Sequence, residues 1–206
     1  MSISLTSSSL SYSQNFDLLT TAGAWVNDST ITGWSLFRSM ATATQPITYS
    51  VADGSSNSGG YFSFGSKDGA DRALGSVAST NKNARGDGTS SPAAGSEVGY
   101  IAFSATNDTG TKIGSVAITF NGEQWRDGGN PSQAAQTMKL QYGFGATFSD
   151  VADWITPGSS FDWASPVHTT TASSASNLLD GTAAGRVMDV GGTLAHSFAG
   201  RKPIAL

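Results

Sequence analysis

Four residues of the kinds that enzymes and ligand sites use stand side by side in Glu123–Arg126, which reads EQWR. A glutamate can act as general acid or nucleophile in glycoside hydrolysis, and an indole ring can stack on a sugar. Such a hydrolase needs a second carboxylate about 5–10 Å away. Asp127 is too near along the chain to be chosen as that partner, so no catalytic residue is assigned.

The same four residues also fit a structural motif at the end of a strand. In that interpretation Glu123 and Arg126 pair with each other or with backbone groups, and Trp125 covers the core. Strict strand alternation directs Gln124 and Arg126 inward and Trp125 outward, whereas a β-bulge at Gly122 would bury the indole. Because buried tryptophans with satisfied polar neighbours are commoner than catalytic sites, we predict the structural motif with the bulge.

Two further tryptophans, Trp154 and Trp163, each follow an aspartate in loop-like sequence. If they were buried, they would simply belong to the core. Exposed indole rings in loops would instead offer flat apolar faces for sugar rings. Trp154 and Trp163 are therefore the residues that we select as candidates for exposed stacking rings and for ligand binding.

Turns rich in Asp and Asn could supply the oxygen ligands, about six to eight of them, that calcium prefers. The stretches with this composition are Asp53–Asn57, Asp68–Asp71, Asn107–Asp108 and Asp127–Asn130. None follows a known calcium-loop pattern, and Asx residues in turns commonly bond their own backbone. A structural calcium ion therefore stays open, with no ligand set assigned, and no other cofactor is expected.

The composition favours an all-β fold that would position these residues on strands and turns. Only 13% of the 206 residues are charged and 25 are glycine, whereas strong helix formers are scarce. A net charge of −4 without a basic block argues against nucleic-acid binding. No apolar run is long enough to span a membrane, and a chain without cysteine has neither disulfides nor thiolate metal sites.

Strand signals recur at short spacing between turn residues. The predicted strands are Leu10–Phe16, Trp34–Met40, Ile47–Val51, Tyr61–Phe64, Val98–Thr106, Lys112–Asn121 and Thr137–Phe144. The last two alternate apolar with polar residues, as the sheets of a sandwich require. In the second of them Met138, Leu140, Tyr142 and Phe144 are predicted to point inward. We predict a jelly-roll-like, two-sheet antiparallel sandwich forming a single domain over residues 1–206, with a long loop over 79–97 and an atypical tail over 187–206.

Several motifs resemble a family of bacterial extracellular β-sandwich domains marked by GEQWR. The matching stretches are Gln14–Asp17, Asp53–Ser66, Asp71–Ser79, Phe120–Gly129, Phe161–Pro166 and Leu179–Arg186. Members occur in secreted or surface-anchored proteins of cyanobacteria, planctomycetes and similar bacteria, often before PEP-CTERM-type anchors or beside nuclease domains. The resemblance implies a β-sandwich and a secreted or cell-surface location.

The resemblance also implies a domain truncated at its C-terminus. Family members typically continue past an LDGNAA-like segment into further strands, whereas this chain ends in AHSFAGRKPIAL. Missing final strands would leave a sheet edge open and favour self-association. The first residues have neither the basic nor the apolar region of a signal peptide, so the predicted export does not rest on an N-terminal signal in this chain.

These observations favour a noncatalytic extracellular or cell-surface module that binds glycan or another surface component. Two alternatives stay open: a secreted, glycosidase-like hydrolase that uses Glu123, and a purely structural or assembly module. The expected partner is a polysaccharide or cell-surface component, with no nucleic-acid contact and no membrane span.

Overall fold

The computed structural model describes residues 2–37, 48–56, 58–66, 69–77, 99–128, 135–168, 177–196 and 198, and the backbone of 203–205. The described chain is mostly β-structure; it has no α-helix and two single-turn 3-10 helices, Phe148–Asp150 and Ser159–Phe161. The strands are β1 Ile3–Leu5, β2 Trp34–Phe37, β3 Ser50–Ala52, β4 Gly60–Phe64, β5 Ala73–Val77, β6 Tyr100–Asn107, β7 Val116–Glu123, β8 Arg126–Asp127, β9 Thr137–Met138, β10 Gly143–Phe144, β11 Trp163–Ala164, β12 Asn177–Leu178, β13 Arg186–Leu194 and β14 Pro203–Ala205. No helix in these ranges is long and apolar enough to cross a membrane.

The strands form several small sheets, some of them mixed, rather than a clear two-sheet jelly roll. In the largest, β6 pairs in parallel with β1 and antiparallel with β2 and β14, and β14 also pairs with β10. A second sheet places β4 between the parallel β3 and the antiparallel β5. The remaining strands form ribbons, β7 with β13, β8 with β12 and β9 with β11. Frequent glycine and serine keep most strands short, because these residues favour turns over continued pairing.

Most of the predicted strands form. Those at Trp34–Met40, Tyr61–Phe64 and Val98–Thr106 are confirmed in their described parts as β2, β4 and β6, and Ile47–Val51 overlaps β3. The predicted loop over 79–97 lies outside the described residues.

The strand predicted over Lys112–Asn121 is confirmed in its alternation, although it begins and ends later, as β7. Val116, Ile118 and Phe120 are partly buried, and the residues between them are exposed. The alternation follows from the pleat of the strand, which points successive side chains to opposite faces.

The first predicted strand, Leu10–Phe16, is wrong, because this stretch is irregular. Its polar side chains bond the local backbone: Gln14 Oε1 accepts the Phe16 N–H at 2.8 Å, and Asn15 Oδ1 accepts the Asp17 N–H at 3.2 Å. Such bonds compete with strand pairing. Phe16 also takes a left-handed φ of 65°, which a regular strand does not permit.

The strand predicted over Thr137–Phe144 is interrupted, so that only its two ends pair, as β9 and β10. Between them Leu140 donates its N–H to Asp162 Oδ1 at 3.2 Å instead of to a strand. Tyr142 forms only an isolated bridge. The expected inward position of Met138 is also wrong, because this side chain is 49% exposed.

The segment 187–206, expected to be an atypical tail without a final strand, contributes to two strands. It forms most of β13, which pairs along β7, and all of β14, which lies between β6 and β10. Two adjacent glycines conceal β13 in the sequence, since neither adds a side chain to the pattern. A Cβ at Gly191 would overlap the Ile118 carbonyl, and one at Gly192 would lie 3.1 Å from the Phe161 ring. Close packing therefore requires glycine at positions 191 and 192, and the same glycines make β13 hard to recognise in the sequence.

The described core consists of three hydrophobic clusters. The first contains Leu19, Trp25, Ile31, Leu36, Tyr49 and Tyr61. The second contains Tyr142, Phe161, Leu194 and Phe198, with the apolar face of β7 packed against it. The third contains Phe62, Phe64 and Trp125, and it joins the β3–β4–β5 sheet to the EQWR residues.

Candidate functional site

Residues Glu123–Arg126, called the corner below, connect the end of β7 to the start of β8. Gln124 and Trp125 are consecutive and both buried, because the regular strand ends at Glu123 and neither residue follows its alternation. The prediction of a bulge at Gly122 is wrong in position, since the irregularity lies on the partner strand β13. There Asp189 takes a φ of 58° and donates its N–H to Asn121 Oδ1 at 3.2 Å. The indole turns inward through the end of β7, not through a bulge in it.

Trp125 is 6% exposed and packs with Phe62 and Phe64 of β4. Two glycines make this position available. A Cβ at Gly181 would overlap the indole ring, and one at Gly54 would overlap the Trp125 carbonyl. Gly54 also has a φ of 94°, a conformation that favours glycine. The indole thus anchors the corner to the β3–β4–β5 sheet.

The Glu123 carboxylate is largely enclosed, with a side chain 10% exposed. It accepts the Trp125 Nε1–H at 3.0 Å, and its other oxygen lies 3.8 Å from Arg186 Nε. Burial raises the pKa of Glu123 above its ordinary value, and the hydrogen bond from Trp125 opposes that rise. Asp71 and Asp180 raise the pKa further by repulsion, whereas Arg186 lowers it. Together these effects make the protonated form of Glu123 more favourable in the folded chain than it is for a glutamate in water.

Because the pKa of Glu123 is raised in the folded chain, the protonated carboxyl group contributes to folding stability. This contribution is complete below the pKa of a free glutamate, about 4.3, and it is lost as pH rises through the folded pKa. Glu123→Gln resembles the protonated acid and keeps an acceptor for Trp125. The stability of the variant relative to the natural chain should therefore increase from pH about 4 to about 7.5, as measured by urea unfolding. A flat or falling difference would contradict the arrangement.

The other polar side chains of the corner bind backbone groups. Gln124 donates Nε2–H to the Val167 carbonyl at 2.6 Å and accepts the Val167 N–H at 3.0 Å. Arg126 donates Nη1–H to the carbonyls of Gly54 and Ser55 at 3.1 and 3.2 Å. Of the two pairings considered for Arg126, the structure shows the one with backbone groups. Through these two side chains the corner ties β7 to two separate loops, one at Gly54 and Ser55 and one at Val167.

Trp163, expected to be an exposed sugar-stacking ring, is buried at 6% exposure. Its ring lies directly on Gly122 of β7, where any Cβ would overlap it. Pairing of β11 with β9 holds it there, with Trp163 opposite Met138. Its Nε1–H has no hydrogen-bond partner among the described residues. The prediction of exposure is therefore wrong for this residue, because a glycine on a neighbouring strand provides a space that the indole fills.

Trp154 is partly exposed and packs at 5.0 Å, between ring centroids, on Phe148 of the first 3-10 helix. Phe37 stacks on the same ring at 4.0 Å, and Tyr100 approaches it at 5.5 Å. These four residues are the Trp154 cluster. The Tyr61 hydroxyl fixes two of its members by donating to the Phe37 carbonyl at 2.6 Å and accepting the Tyr100 N–H at 2.9 Å.

In two of the acidic turns a side-chain oxygen accepts a hydrogen bond from the local backbone. Asp53 accepts the amide two residues further on at 3.0 Å, and Asn107 Oδ1 accepts both the N–H and the hydroxyl of Thr109. Asp68 and Asn130 lie outside the described residues. Within the described ranges no group of three or more His, Cys, Asp or Glu side chains is placed to hold a metal.

Sequence reasoning missed several of these contacts. Arg186 and Asp180 meet Glu123 although they are remote along the chain, and only their place in the LDGTAAGR motif marked them. Phe148 carries no pattern that would connect it to Phe37 or Trp154. These contacts depend on the packing of separate segments, which local spacing does not encode.

Comparison of the chain with protein-family models, curated proteins and solved structures finds no match. The resemblance carried by GEQWR and the other motifs therefore stays an expectation from the sequence. The functional argument rests on the geometry of the corner and of the Trp154 cluster.

Proposed function

We propose that this chain is a noncatalytic extracellular or cell-surface module that binds glycan. The observation that most supports a noncatalytic role is the engagement of all four corner side chains by groups of the same chain. A general acid must reach the atom it protonates, whereas the Glu123 carboxylate is mostly enclosed and already bonded to Trp125. The extracellular location and a jelly-roll-like sandwich are carried over from the family resemblance.

The glycan surface of this proposal is the Trp154 cluster. Its aromatic rings are partly exposed and held by their neighbours, so little side-chain entropy would be lost when a sugar ring stacks on them. The adjacent Asp150 and Asp153 are exposed, and their carboxylates can accept hydrogen bonds from sugar hydroxyls. An aromatic face beside acceptor groups suits a neutral polysaccharide.

Trp154→Ala should weaken retention on polysaccharide about tenfold, since loss of one aromatic contact is worth about 1–1.5 kcal/mol. Affinity electrophoresis in soluble glucans, and pull-down on cellulose, chitin and xylan, measure this. Tyr12→Ala is the matched control, because Tyr12 is an exposed ring in a different aromatic group, stacked on Phe103. Retention that is equal in natural and Trp154→Ala protein would contradict the site.

One observation favours the hydrolase as a second candidate: the raised pKa of Glu123 is a property of general acids in glycosidases. Turnover of chromogenic glycosides and polysaccharides separates the two functions. A hydrolase predicts turnover that Glu123→Gln abolishes while its circular dichroism stays unchanged. The noncatalytic module predicts glycan retention that Glu123→Gln leaves intact.

A further inference from the structure

Within the part of the chain that the structure describes, β7 is a long strand that pairs on one side only. Among the described residues its partner is β13, and no backbone group of Val116–Gly122 bonds to any other segment. β6, of equal length, has strands on both sides. An edge with free N–H and C=O groups is a template for pairing with another strand.

The two strands of this ribbon differ in how their edges are protected. β13 carries the irregularity at Asp189, with its left-handed φ and exposed carboxylate. Bulges and charges of this kind discourage pairing along an edge. Over Val116–Gly122, β7 has neither, since this part of the strand contains no charge, no proline and no register shift of its own, and the one charge of β7 is Glu123 at its end. The unprotected edge is therefore that of β7.

The pattern of β7 is complementary to itself. When two copies run antiparallel about a two-fold axis at Thr119, Ile118 lies opposite Phe120 and Ala117 lies opposite Asn121. The apolar Ile118 and Phe120 then face each other on the partly buried side of the sheet, while on the exposed side Ala117 faces Asn121 and Thr119 faces its own copy. Aromatic with β-branched pairs and Thr–Thr pairs are favourable across strands, and no like charges meet. A register shifted by one residue would mix the two faces.

We propose that two copies of this chain associate through β7, in antiparallel register about Thr119. The result is a continuous four-stranded sheet in the order β13–β7–β7–β13. Two-stranded ribbons are marginal on their own, and sheets of three or more strands with an apolar face are not. A symmetric pair of identical edges closes on itself, which gives a dimer and not a fibre.

Thr119→Lys tests the axis, because it places two like charges opposite each other at an exposed position. Sedimentation velocity across a concentration series should show a dimer for the natural 206-residue chain. Its dissociation constant should rise at least about tenfold in Thr119→Lys and in Thr119→Glu. An equimolar mixture of the two variants should dimerise again, since Lys then faces Glu. Thr193→Lys, on the exposed face of β13, is the matched control and should leave the dimer intact.

Thr119→Cys tests the register in a chain that otherwise has no cysteine. Opposed Cβ atoms at the axis lie within disulfide reach, so mild oxidation should give a covalent dimer. Thr193→Cys should stay mostly monomeric under the same conditions. The proposal is overturned by a natural chain that is monomeric up to about millimolar concentration. A dimer that tolerates Thr119→Lys, or equal cross-linking at both cysteines, overturns it as well.

Discussion

Trp125→Ala is expected to lower the free energy of unfolding by about 3–5 kcal/mol, the usual cost of truncating a buried tryptophan. The indole is 6% exposed and packs on Phe62 and Phe64. Its loss leaves a cavity between the corner and the β3–β4–β5 sheet, and it removes the N–H that Glu123 accepts. The glycines on either side cannot fill the cavity. Urea unfolding followed by circular dichroism gives the difference.

Two further variants show how much of the stability lost in Trp125→Ala comes from the hydrogen bond and how much from the buried position of the ring. Trp125→Phe keeps an aromatic ring but removes the N–H. Beyond a small packing loss, it should therefore lower the free energy of unfolding by the value of one hydrogen bond to a charged group, about 1.5–3 kcal/mol. Trp154→Ala makes the identical truncation at a partly exposed ring and should cost clearly less than Trp125→Ala. Equal losses at Trp125 and Trp154 would mean that the corner indole does not anchor the fold.

The contrast between β7 and β13 explains how much of the fold the sequence predicts. The alternation of β7 is readable in the sequence because Val116, Ile118 and Phe120, on the partly buried face, carry apolar side chains. The paired strand was not readable, because Gly191 and Gly192 leave gaps where its pattern should be. A strand that packs through glycines shows its role only once the neighbouring segments are in place.

Some features of the candidate site can likewise be predicted from the sequence, and others cannot. A motif at a strand end predicts the inward position of Trp125, and bonds to the backbone are one of the two pairings that it allows for Arg126. The choice of Arg186 as the partner of Glu123, and the burial of Trp163, depend on segments that meet only in the folded chain. Gly122 indicates a bulge in β7 when only the sequence is considered, whereas in the folded chain this glycine makes room for the Trp163 ring.

That role of Gly122 gives the second large prediction. Gly122→Val should destabilise the chain by about 3 kcal/mol, the upper part of the range for overpacking, because the Trp163 ring cannot stay where the new side chain points. Valine is otherwise well suited to a strand, so backbone strain is not the cause. The displaced indole should move into water, and tryptophan emission should shift to longer wavelength.

Gly122→Val combined with Trp163→Ala separates a steric cause from general damage. Trp163→Ala alone should cost about 3–5 kcal/mol, but in the double variant the valine methyls occupy part of the space that the ring leaves. The two substitutions should therefore cost at least about 1 kcal/mol less together than the sum of their separate effects. Gly114→Val is the control, since a Cβ there meets nothing within 4 Å, and it should change stability by less than about 0.5 kcal/mol. Strictly additive losses at positions 122 and 163 would show that the glycine and the indole do not share one space, and that another contact buries Trp163.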